Sequence, residues 1–146
     1  MWGLGLLGLL LLVSVAWGQE TVGLLKSTQG EVTLVRQDVR TPALPGLRLQ
    51  VGDTLLTGTD TSTVAVVLID DTRMALGPRS RLVLHQYRWN PTTQQGQARA
   101  ELGQGTLAVE SGLLGRQGSG NTLAVTTPKA TVRVQDAQVG FRVKEP

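Results

Sequence analysis

With 146 residues and a net charge of +3, the chain has room for one domain, and its mild basic excess favours anionic polymers in general without selecting one. Cysteine is absent, which excludes disulfides, thiol catalysis and thiolate metal sites. Aromatic residues make up only 3% of the chain, so a core has to be built from Val, Leu and Ala.

Residues 1–18, MWGLGLLGLLLLVSVAWG, are uncharged and dominated by Leu. They read as a secretory signal helix, with the small residues Ala16 and Gly18 where a signal peptidase inspects the chain. Cleavage there leaves Gln19 as the new N-terminus. The rival reading is an uncleaved anchor, but the apolar run falls short of the ~20 residues a spanning helix needs. No basic residue precedes it, and no cysteine follows it that could carry a lipid. The expectation is export to the periplasm or beyond, with no stable transmembrane span after cleavage.

Residues 19–146 then read as one all-β domain of short antiparallel-type strands. Residues 21–26 and 31–36 are strand candidates, separated by Ser27-Thr28-Gln29-Gly30. Residues 37–46 carry Pro42 and Pro45 and have to be a loop or an edge crossing. Gly52-Asp53 makes a turn between the Leu47/Leu49/Val51 alternation and Thr54-Leu55-Leu56. Residues 63–69, TVAVVLI, are β-branched and apolar on both alternating faces, which fits a strand covered on both sides. Asp70-Asp71-Thr72 supplies the next turn, since Asp bonds its own downstream backbone and tolerates positive φ. Met74 and Leu76 resume the alternation, Gly77-Pro78 breaks it, and Leu82 and Leu84 restart it.

Further on, Asn90-Pro91 opens a polar connector. Residues 98–102 and 106–111 read as two strands split by Gly103-Gln104-Gly105, and residues 112–121, GLLGRQGSGN, as a mobile loop. Residues 122–126, 130–134 and 139–143 close the chain as strands, with Thr127-Pro128 as a strand break. Apolar spacing of three and four never persists long enough for an amphipathic helix, so little or no helix is expected after the leader. The recurrence of strand and turn suits a sandwich, a barrel or a β-solenoid-like stack.

At this point the residues carry a family likeness. The pieces LQVGDTLLTG (49–58), LIDDTRMALGPRS (68–80), LGQGTLAVESG (102–112) and VTTPKATVRV (125–134) follow the order and spacing of FecR domains. The chain resembles that family over about residues 30–143. The resemblance implies an extracytoplasmic all-β domain, β-solenoid-like in the better-known relatives. Two features depart from the family pattern. Asp70-Asp71 stands where the family usually has Asp-Gly, which puts Asp71 in a strained turn position. Gln135-Asp136-Ala137-Gln138 stands where many relatives have Arg-Gly-Thr. The full regulator of the family looks like a cytoplasmic sigma-factor-binding segment, one membrane helix and a periplasmic domain. This chain has no segment ahead of its apolar run, so it is expected to resemble the extracytoplasmic part standing alone.

The acidic residues Asp53, Asp60, Asp70 and Asp71 could in principle converge on Ca²⁺, but neither an EF-hand nor a calcium-binding repeat is present, and turns use Asp for backbone bonding. Gly52, Asp53, Asp70, Asp71, Gly77, Pro78, Thr127 and Pro128 are therefore assigned to turns. His85 is the only histidine and cannot build a zinc site by itself. Gly103 and Gly105 are followed by no helix that would present a phosphate-binding N-terminus. Tyr87, Arg88 and Trp89 are the candidate contact residues, with Tyr87 and Trp89 on one strand face and Arg88 on the other. One aromatic pair is too thin for nucleic acid.

No metal, cofactor or catalytic set is expected. The leading expectation is an exported, non-enzymatic module of the cell envelope that binds a protein or an envelope polysaccharide. The alternative is a periplasmic sensor that relays a signal to a separate membrane or sigma-factor regulator. A small hydrolase using the Asp cluster is the third class.

Overall fold

The computed structural model describes residues 20–116 and 118–144. The expected leader, residues 1–18, lies outside the described residues. In chain order the strands are β1 (Gly23–Gln29), β2 (Val32–Arg36), β3 (Val39–Pro42), β4 (Arg48–Leu49), β5 (Thr54–Thr57) and β6 (Thr63–Leu68). They continue as β7 (Arg73–Leu76), β8 (Arg81–Asn90), β9 (Gln95–Glu110), β10 (Thr122–Thr126), β11 (Thr131–Arg133) and β12 (Gln138–Val143). A single 3-10 turn over Leu113–Gly115 is the one helical element among the described residues. The all-β class read from the sequence is the class found.

The strands form a single hydrogen-bonded sheet that curls into a half-barrel. One wing runs β4-β1-β6-β7-β9-β12, and the other runs β3-β2-β5-β8-β9-β10-β11. Strand β9 belongs to both. Its first half pairs with β8 and its second half with β7. The Gly103-Gln104-Gly105 break expected from the sequence is thus a corner inside one long strand. Gly105 has φ +93°, and a Cβ there would lie 1.9 Å from Ser80 Oγ, so the corner requires glycine. Ser80 Oγ holds the bend by accepting the Thr106 amide at 2.9 Å.

Neighbouring strands are antiparallel except β9 and β10, the one parallel pairing among the described residues. Stacked coils need parallel neighbours throughout, so the antiparallel curl departs from the solenoid-like stack and comes nearest the barrel among the forms that the sequence left open. Inward side chains alternate along each strand as the pleat requires. Leu25, Val64, Leu76 and Leu107 from one wing meet Leu34, Leu82, Leu102 and Val125 from the other in one core. Burying each such side chain is worth about 1.5–3 kcal/mol. Residues 112–121 are not wholly a surface loop either, because the 3-10 turn drives Leu114 into the core at 0% exposure. Of the stretch 37–46, residues 39–42 form edge strand β3, with Pro42 at its end, where a missing N–H costs no internal bond.

Candidate functional site

The wings are tied together by polar pins as well as by the core. Asp70, in the β6–β7 turn, is fully buried, and its carboxylate accepts the Tyr87 hydroxyl at 2.6 Å and the Thr72 hydroxyl at 2.7 Å. The same carboxylate also accepts the Leu114 amide at 3.0 Å. A buried carboxylate is tolerable only when its lone pairs are filled in this way. Burial first, and then the hydrogen bond to Asp70, pushes the Tyr87 phenol well above its ordinary pKa. Asp71, next in the turn, takes φ +70°, the left-handed position that its place in the family pattern implied.

A second pin joins β2 to the turn before β5. Arg36 donates to both oxygens of Asp53, at 2.8 and 2.7 Å, and its Nη2 also reaches the Arg48 carbonyl of β4 at 3.0 Å. Asp53 is 3% exposed and also accepts the Gln50 amide at 2.8 Å. The hydrogen bond to Asp53 raises the pKa of the Arg36 guanidinium above its usual value. The acidic residues are therefore spread over separate partners. Asp53 holds Arg36, Asp60 meets Arg79 at 3.0 Å on the surface, and Asp70 holds Tyr87. Among the described residues no group of three or more acidic or histidine side chains gathers as a metal site would. His85 pairs with Glu101 across the β8–β9 ladder, on the exposed face.

Above the Asp70–Tyr87 pin lies an open concavity, a groove of about 710 Å³ at the end of the curl. Val22 and Ile69 line it from one wing, and Tyr87, Arg88, Trp89 and Gln97 from the β8–β9 hairpin. Ser119, Gly120 and Asn121 close its far side. The hairpin is set by Asn90, whose Oδ1 accepts the amides of Thr92 and Thr93 at 2.9 and 3.2 Å, the bonding expected of Asn-Pro. Asn121 stitches the closing loop to it, accepting the Gly96 amide at 3.0 Å and donating to the Gln94 carbonyl at 2.8 Å.

The three candidate contact residues are brought to this groove, but not as an equal set. Tyr87 is 6% exposed with its hydroxyl committed to Asp70, so it cannot act as an open stacking face. Tyr87 and Trp89 share one face of the continuous strand β8 but differ in depth, with Tyr87 under the groove and Trp89 at its rim. Trp89 is half-buried, packed against the end of the core, and Arg88 is exposed. Ile69, half exposed at 50%, supplies a second apolar wall. Ile69 and Asn121 were not singled out from the sequence, because their proximity to Trp89 depends on the curl and leaves no local signal.

Gly52 turns at φ +92° and donates its amide to Leu84, Gly77 donates to the Thr106 carbonyl, and Thr127 and Ala130 pair around Pro128-Lys129 between β10 and β11. Among the described residues no helix is long and apolar enough to cross a membrane.

Residues 53–146 match the family model described as FecR protein. No curated protein and no solved structure shows a significant match. The match begins at Asp53, so β1 to β4 lie ahead of it, although β1 and β4 complete one wing and β2 and β3 the edge of the other. The family match covers more than half of the chain, including the Asp70–Tyr87 pin and most of the residues that line the groove, and the chain belongs to the FecR family.

Proposed function

We propose that the chain is an exported, non-enzymatic FecR-family module that binds a polysaccharide of the cell envelope in the groove beneath Trp89. The observation that carries this reading is the make-up of the groove. A half-buried indole and Ile69 face a wall of amide and hydroxyl groups from Thr93, Gln95, Gln97, Ser119 and Asn121. A sugar ring offers the complementary pair of surfaces, an apolar C–H face for the indole and hydroxyls for the amides. Arg88 at the rim adds attraction for an acidic polymer. Family membership supports a signalling-related role, and family practice supports an extracytoplasmic location.

Relay of envelope status to a separate membrane or sigma-factor regulator is the second reading, favoured by the family's regulatory character. It uses the same groove as its input. A photo-crosslinker placed at Gln97, exposed on the groove wall, tests the first reading in cells. Capture of glycan in the envelope fraction supports it. Capture of one protein and no glycan replaces it with the relay reading, and capture of nothing over repeated trials removes both.

A further inference from the structure

We infer that the β12 edge is a self-complementary pairing surface and that two copies of the chain join through it, antiparallel, about a dyad at Gly140. The curled sheet has four free edges among the described residues, and three of them are blunted. Strand β3 has 4 residues and ends in Pro42, β4 has 2 residues, and β11 has 3. Strand β12 has 6 residues, QVGFRV, with no proline. Such an edge is a template for another strand.

The ladder decides which of its groups face outward. The Ser111 amide donates to the Ala137 carbonyl, so residues 139, 141 and 143, at alternate positions, bond to β9. The amides and carbonyls of Gln138, Gly140 and Arg142 therefore point away from the sheet. Gln138 and Arg142 carry their side chains on the exposed face, where Gly140 has none, while Val139, Phe141 and Val143 turn toward the core.

Gly140 needs explaining. Its φ lies outside the left-handed region, and a Cβ built on it would meet nothing within 4 Å. Within this chain neither conformation nor space requires glycine, although glycine in a strand costs about 0.5–1 kcal/mol relative to Ala. Glycine in such a position marks the close approach of another backbone.

A second copy fits this edge by charge. With Gly140 opposite its own mate, Gln138 faces Arg142 of the other strand at both ends, and no two like charges are opposed. Lys144 and Asp136, of opposite sign, flank the two ends of each strand. The outward groups of three residues on each side make about six backbone hydrogen bonds. On the exposed face, the row of small residues Ala65, Ala75, Ala108 and Gly140 would continue unbroken into the second copy. The contact area is small, so the dimer belongs to the weak, micromolar class.

Sedimentation equilibrium of the protein recovered from cells expressing the full chain tests this inference. The wild type is expected to be a dimer with a micromolar Kd. Gly140→Lys and Gly140→Glu place like charges face to face at the dyad, and each is expected to raise the Kd at least tenfold. Both point into open space, so the fold should survive, as an unchanged thermal transition would verify. Mixing the two variants in equal amounts should restore a dimer. A wild type that stays monomeric at millimolar concentration, a Gly140→Lys variant that dimerises as well as wild type, or a mixture that stays monomeric would each overturn the inference. None of these results depends on glycan binding in the groove.

Discussion

The Tyr87 hydroxyl donates to Asp70 Oδ1 at 2.6 Å, and the Tyr87 hydroxyl oxygen in turn accepts the Asp70 backbone amide at 3.1 Å. A residue of the β8–β9 hairpin and a residue of the β6–β7 turn thereby lock one wing to the other directly under the groove. Tyr87→Phe keeps the ring but leaves the buried carboxylate one donor short, so unfolding free energy should fall by about 1–3 kcal/mol. Denaturant titration of the variant and the wild type reads this directly.

The same pair makes stability pH-dependent at the alkaline end. The folded phenol titrates above its unfolded value of 10.0, so the folded state holds the proton where the unfolded chain releases it. Its contribution is fully present below about pH 10 and is lost as pH rises through and beyond that value. Tyr87 is the only tyrosine. Tyrosinate absorbance therefore reports one residue, and it should emerge only together with unfolding. Tyr87→Phe should lose this alkaline component.

Two arginine–carboxylate pairs should behave differently. Asp53 is 2% exposed at its side chain, and Arg36→Ala leaves it without its bidentate partner, at a cost of about 2–3 kcal/mol. Arg79 and Asp60 are 56% and 81% exposed, so Arg79→Ala should change stability by less than about 0.5 kcal/mol. Equal effects in paired melts would contradict this ordering.

At the β9 corner, Gly105→Ala combines a positive φ with a clash against Ser80, and should cost roughly 3 kcal/mol. Asp71→Gly goes the other way. Its φ of +70° suits glycine, so relief of the turn should raise stability by about 0.5–1 kcal/mol. Thermal unfolding of the two variants should move in opposite directions.

What was legible in the sequence was local. The alternation of Val64, Val66 and Leu68, the Gly52-Asp53 and Asp70-Asp71 turns and the Asn90-Pro91 connector all act within a few residues, and each is found in place. What was not legible depends on the curl. Gly103-Gln104-Gly105 reads as an interruption, because glycine at a bulge and glycine at a loop look alike in one dimension. Arg36 and Asp53 are 17 residues apart, and Asp70 and Tyr87 likewise, so their pairing has no sequence period to announce it. The unequal roles of Tyr87 and Trp89 follow from depth at the end of the core, which alternation cannot encode.

The most direct test of the proposed binding role is co-sedimentation of the purified protein with isolated envelope polysaccharide, comparing wild type with Trp89→Ala. Loss of the indole face is worth about 1.5 kcal/mol, so the variant should bind about tenfold more weakly while still unfolding in one cooperative, if lower, thermal transition. Wild type that stays in the supernatant, or a Trp89→Ala variant that sediments as well as wild type, would contradict the account.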